Sequence, residues 1–183
     1  SGIIAALSHP KHPSRPPIIR PIVAGLIVVS LIQIAFTYRV IQFDKHMYRA
    51  VKAEYAGDWQ TVINAIESAQ QNGAFHREAI HLYGYALNQK GLYTKAIDHY
   101  QQVSIQSPYD IQIINGLAIA HQNSGQQRQA ETYYLKALEL VESTDIRYNL
   151  AGLYLQSGRA GQAVVEYSRI AQIEIHRSTC III

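Results

Sequence analysis

Cysteine is almost absent from this 183-residue chain: Cys180 is the only one, which excludes an intrachain disulfide framework and a paired-cysteine metal site. Proline is confined, with five of the six falling between residues 8 and 21 and only Pro108 beyond them. Acid is missing from residues 1–42, which hold Lys11, Arg15, Arg20 and Arg39, whereas all 13 acids lie further along against the other twelve of the 16 bases. The formal charge of +3 therefore belongs to the first part of the chain. The remainder has no clustered Lys/Arg face of the kind a nucleic acid requires. There is no GxGxxG or phosphate-loop spacing, no HExxH, and no Ser or Cys in a nucleophile elbow. Glu139 and Glu142 are paired carboxylates only in being three apart near a helix end, where solvated charge is the ordinary state. His76 and His81 stand five apart, off one helical face, and His99 and His121 fall in different helices. No catalytic constellation, cofactor site or metal site emerges, and the chain is not read as an enzyme.

What is present is a period. Gly57, Gly91, Gly125 and Gly158 follow one another at 34, 34 and 33 residues. Five residues after each stands Val62, Ala96, Ala130 or Ala163. Nine after stands Ile66, Tyr100, Tyr134 or Tyr167, and twelve after stands Ala69, Val103, Ala137 or Ile170. A skeleton repeated four times marks a repeat architecture. Within one period Ile80, Tyr83, Gly84 and Leu87 make an apolar stripe at helical spacing. Gly91 ends that helix by tolerating positive φ. Ala96, Tyr100 and Val103 make a second stripe, and Pro108 ends the second helix. Each period is two antiparallel helices, with Gly84 and Ala96 placed where helices approach closely. A lone pair cannot bury its apolar face, so neighbouring pairs must stack.

These residues resemble the tetratricopeptide repeat. The second period matches its pattern at Ile80, Tyr83-Gly84, Leu87, Ala96, Tyr100, Val103 and Pro108. The third keeps Ile114, Leu117-Ala118, Ala130, Tyr134 and Ala137, with Glu142 in place of the proline. The fourth keeps Leu150-Ala151, Tyr154, Ala163 and Tyr167, and the first keeps Arg49-Ala50, Ala53, Val62, Ile66 and Ala69. His46 and Arg147 stand where a large apolar residue is usual, which predicts looser outer repeats. The resemblance implies an all-α fold: a right-handed superhelical stack of four helix-turn-helix repeats at 43–76, 77–110, 111–143 and 144–177, followed by a short tail at 178–183.

Ahead of the repeats, residues 1–21 read as a proline-rich basic loop. His9 and His12 in it are taken as loop polarity because no third metal ligand lies near. Residues 22–38 contain no charge, and with the flanking Ile18, Ile19, Val40 and Ile41 the apolar zone is long enough to cross a bilayer. Residues 22–42 are read as a transmembrane helix continuing almost directly into the first repeat. Gln33 is the one strongly polar side chain in the uncharged stretch 22–38, and Tyr38, Phe43 and Tyr48 suit an interfacial belt. Bases flank both sides nearly equally. Residues 1–7 look like the end of an earlier span, which would put the short basic loop in the cytoplasm and the repeats in the periplasm or exterior. The terminal Cys180-Ile181-Ile182-Ile183 has the form of a prenylation box, but a truncated reading frame is the plainer account.

The tetratricopeptide resemblance further implies a concave groove lined by the second, fifth, ninth, twelfth and thirteenth residue of each repeat. Carried over, these are Asp44, Met47, Val51, Glu54 and Tyr55 in the first repeat, and Glu78, His81, Tyr85, Asn88 and Gln89 in the second. The third gives Gln112, Asn115, Ile119, Gln122 and Asn123, and the fourth Asp145, Tyr148, Gly152, Leu155 and Gln156. The set holds no Lys or Arg, so a carboxylate-clamping groove is not expected; an extended polypeptide hydrogen-bonded by Asn and Gln fits better. The expected role is a membrane-anchored scaffold for a protein or peptide partner in envelope assembly. Leu7-Ser8-His9-Pro10 and the following span also resemble, over about 40 residues, the C-terminal end of O-antigen ligase or polymerase-like membrane proteins. That resemblance would make this chain an accessory domain of an enzyme whose chemistry lies upstream.

Overall fold

The computed structural model describes residues 19–71 and 77–180, and these form eight α-helices with no strand among them. In chain order they are α1 (Ile19–Tyr55), α2 (Trp59–Gln71), α3 (Arg77–Gln89), α4 (Tyr93–Ser104), α5 (Ile111–Asn123), α6 (Gln127–Leu140), α7 (Thr144–Gln156) and α8 (Ala160–Cys180). Two compact units divide between Ile41 and Gln42.

In the first unit α1 begins at Ile19, ahead of the expected span, so residues 19–21 are helical rather than loop. Pro21 is admitted because it falls in the first turn, where a missing N–H has no intrahelical partner to lose. Leu26, Ile32, Ile34 and Phe36 all stand more than half exposed. Among the described residues this is the one helix long and apolar enough to cross a membrane. No glycine or proline interrupts residues 39–55, and the helix continues unbroken to Tyr55. The other end differs too: α8 reaches Cys180, into the expected tail, since nothing in Gln172–Cys180 breaks a helix.

The second unit is an all-α superhelical stack of helix pairs. The four turn glycines, Gly57, Gly91, Gly125 and Gly158, all have positive φ, at 70°, 73°, 80° and 71°. An L side chain is strained in that region, so the residue that spaces the repeats is also the one the turn geometry requires. Helix starts are capped where the sequence allows. Asp58 Oδ1 accepts from Thr61 N at 3.1 Å, and Asp110 Oδ1 accepts from Gln112 N at 3.0 Å and Ile113 N at 3.4 Å. Ser143 accepts from Ile146 N at the start of α7.

The small skeleton positions Val62, Ala96, Ala130 and Ala163 are completely buried, as are Ile66, Tyr134, Ala69 and Ala137. Two apolar clusters result. One runs from Phe43, Ala50 and Ala53 through α2 and α3 to Ile97 and Leu117, and the other from Ile114 and Tyr134 to Leu150 and Ala163. Gly84 does more than allow a close approach to α4. A Cβ there would lie 2.2 Å from the Tyr100 ring, and one on Gly116 would lie 2.5 Å from the same ring. The ring is thus held between a backbone patch of α3 and another of α5.

The predicted loosening at Arg147 is not what that side chain does. Its guanidinium pairs with Glu142 through both Nε and Nη2, the latter at 2.6 Å, and its Nη1 meets buried Glu166, which also accepts from Arg169 at 2.9 Å. Two departures from the repeat pattern, an acid for proline and an arginine for a large apolar residue, are therefore each other's partners. A bidentate pair of this kind combines charge with fixed geometry. It holds the Glu142 carboxyl below its ordinary range and pushes the Arg147 guanidinium further up.

Gly84→Ala and Gly116→Ala should each destabilise the second unit by about 1–3 kcal/mol, the cost of overpacking a filled site. Urea denaturation followed by circular dichroism measures it, and an unchanged midpoint for both would contradict the placement of the Tyr100 ring.

Candidate functional site

The first helices of three successive pairs, α1, α3 and α5, enclose a cleft of about 510 Å³. Nine of its twelve lining residues are groove positions carried over from the repeat pattern: Met47, Val51 and Glu54; Glu78, His81 and Tyr85; Gln112, Asn115 and Ile119. The other three are Leu82, Tyr100 and Gly116. Helical periodicity brings these together, because residues three and four apart share a face. Gly116 lets the Tyr100 ring pack against α5, and the buried ring borders the cleft from beneath. Trp59 of α2 meets Tyr85 edge to face, with ring centroids 5.3 Å apart, which fixes one wall.

Other predicted groove residues lie elsewhere. Asn88 is buried, 7% exposed, and its Oδ1 has no protein partner. Gln122 is engaged: its Oε1 accepts from Tyr134 Oη at 2.7 Å and its amide donates to Gln156 Oε1 at 2.9 Å. Tyr148 is exposed and packs edge to face on Tyr167 at 5.8 Å. Gln89 and Asn123 are exposed at the ends of α3 and α5. The cleft thus gathers the carried-over positions of the first three repeats but none from the fourth. Sequence reasoning missed Leu82, Tyr100 and Gly116 as lining residues, and Trp59 as the support behind Tyr85. The available signal was Gly116 itself, a helix-weakening residue placed mid-helix beside a groove position.

Electrostatically the cleft is one-sided. Among the described residues Glu54 and Glu78 are the only carboxylates lining it, and no Lys or Arg does. His81 Nε2 lies 3.6 Å from Asp110 Oδ2, too far for a hydrogen bond. Burial lowers the His81 pKa despite that carboxylate, so the ring is neutral near pH 7. His99, behind Tyr100, donates from Nε2 to Ile80 O at 2.9 Å, and burial lowers its pKa as well. Asn115 contributes a buried Oδ1 with no protein partner. Donors and acceptors over an apolar floor equip such a surface to bind, and nothing in it activates a nucleophile. Among the described residues no three His, Cys, Asp or Glu side chains converge as metal ligands. His9, His12 and His76 lie outside the described residues, as does the Leu7–Pro10 stretch on which the expectation of an O-antigen ligase resemblance rests.

Residues 115–175 match the family model of the tetratricopeptide repeat. The stack has the tetratricopeptide-repeat fold. Among solved structures it is similar to MamA residues 41-end from Desulfovibrio magneticus RS-1, at 16% identity and a TM-score of 0.66, over 73% of this chain and 76% of that one. It is similar to pilF of Pseudomonas aeruginosa, at 19% identity and a TM-score of 0.60, over 71% and 60%. It is also similar to YrrB, described as a TPR protein with an unusual peptide-binding site, at 13% identity and a TM-score of 0.60, over 80% and 81%. No curated protein matches the sequence. Tetratricopeptide-repeat stacks are typically scaffolds that bind protein or peptide partners.

The two lowered histidines set a pH dependence. As pH falls below about 6.5 the unfolded chain binds protons before the folded one, so folding stability falls with pH. The urea midpoint should hold between pH 7 and 8 and drop between pH 6.5 and 5. A variant with both His81→Asn and His99→Asn should show a shallower drop over the same interval.

Proposed function

We propose that the chain is a membrane-anchored tetratricopeptide-repeat scaffold that holds an extended polypeptide in the cleft between α1, α3 and α5. The observation that carries this reading is the convergence of nine carried-over groove positions from three successive first helices on one cleft. Their side chains offer amide donors and acceptors at Gln112 and Asn115 over an apolar floor, which suits a polypeptide backbone carrying side chains on alternate faces. The likeness to YrrB, described as having a peptide-binding site, adds support. Gln89, Asn123, Tyr148 and Gln156 extend the same surface as flanking contacts, while Asn88 and Gln122 support it from within.

The anchor is residues 22–42, whose apolar side chains stand exposed along a helix of membrane-spanning length. The repeats are assigned to the extracytoplasmic side, with a role in envelope assembly. Lys11, Arg15 and Arg20 lie between Ser8 and the span with no acid among them. Short basic stretches are retained in the cytoplasm, whereas long folded domains cross largely regardless of their charge.

A photo-reactive amino acid at Tyr85 or Ile119 in intact cells should yield a covalent adduct with a polypeptide, while the same group at exposed Lys95 should not. Equal adducts at all three positions, or adducts at Lys95 alone, would move the site off the cleft. For topology, a tag after Arg177 should be digested by external protease in spheroplasts; protection until lysis would reverse the orientation.

A further inference from the structure

The cleft also carries information about its occupant, an inference that rests on reading it as a polypeptide site. Its floor is apolar, built from Met47, Val51, Leu82 and Ile119, with the buried Tyr100 reaching it only marginally. That socket fits a large apolar side chain. Among the described residues its only charged lining groups are Glu54 and Glu78, and neither is ion-paired to a described residue. Arg77, next to Glu78 in the chain, is instead 3.6 Å from Asp110. His81 does not neutralise the two acids, because burial keeps it uncharged near pH 7. The orphaned Asn115 Oδ1 adds an acceptor that calls for a donor from the partner.

The two carboxylates also sit at different depths. Glu54 is near the C-terminal end of α1 and Glu78 in the first turn of α3. They are ten repeat positions apart, which is about 15 Å along parallel helices at 1.5 Å per residue. An extended segment covers that length in about five residues. An acidic partner would meet like charge with no cation to offset its desolvation. We infer that the cleft is selective for an extended peptide in which a large apolar residue is flanked, within about five residues, by Lys or Arg, with the apolar side chain against Met47, Leu82 and Ile119 and the cations at Glu54 and Glu78.

The test uses the full chain in phosphatidylcholine nanodiscs, with empty nanodiscs as control. It is applied to capped nine-residue peptides with central Leu, Phe or Met and flanks of Lys/Arg, Ser/Gly or Asp/Glu. The basic-flanked set should bind most tightly. Glu54→Gln and Glu78→Gln should each weaken that set by about fivefold, the upper range for a rim ion pair, and leave the Ser/Gly set unchanged. Raising salt should erase the difference in the parent protein. Equal binding of acidic or neutral peptides, or a basic preference that survives both substitutions, would overturn the inference while leaving the cleft as a peptide site. The same holds if no peptide binds although Tyr85 cross-links a polypeptide in cells. Ile119→Trp, which fills the socket, separates the two readings: if every peptide binds this variant as it binds the parent, the cleft is not the site and both fall.

Discussion

The Tyr100 ring, clamped between the backbones at Gly84 and Gly116, fixes the separation of α3 and α5. In a stack without a central core, each inter-repeat spacing is decided locally by whichever side chain fills the seam. Here that side chain is aromatic and two glycines make room for it. The buried ring also borders the cleft, so the residue that sets the seam sits directly beneath the candidate site. The next seam is built differently. Tyr134 is fully buried, and its hydroxyl reaches Gln122, which continues to Gln156. Side chains that elsewhere remain available for a partner are spent there on joining repeats, which is why the cleft stops short of α7.

Much of the second unit was legible in the chain. The glycine spacing located all four turns, and the small residues five positions later proved completely buried. Such positions are legible because their constraint is local: a left-handed turn or a close helix crossing admits few residue types. The ends of α1 and α8 were not, since proline density and a short remnant do not forbid helix when the proline falls in a first turn or no breaker is present.

The candidate site was legible only in part. Residues on the first helices of the first three repeats meet because their period dictates it. Tyr100 and Trp59 come from second helices, and their inclusion depends on side-chain directions across a seam, which no single period encodes. Asn88 and Gln122 were assigned by position, but whether an amide faces solvent or a neighbour depends on what the adjoining repeat offers. At Gln122 it offers a tyrosine hydroxyl, and at Asn88 burial.

Glu142 and Arg147 each depart from the repeat pattern, and each is accommodated through the other. Their history is therefore joined. Restoring the proline alone would leave the Arg147 guanidinium with Glu166 as its remaining partner, and restoring the large apolar residue alone would leave Glu142 without its cation and Glu166 with Arg169 only. Reverting either position alone removes the bidentate pair that joins them. The pair acts as a ratchet, keeping the junction of the third and fourth repeats distinct from the others and making those two repeats poor candidates for exchange with their neighbours.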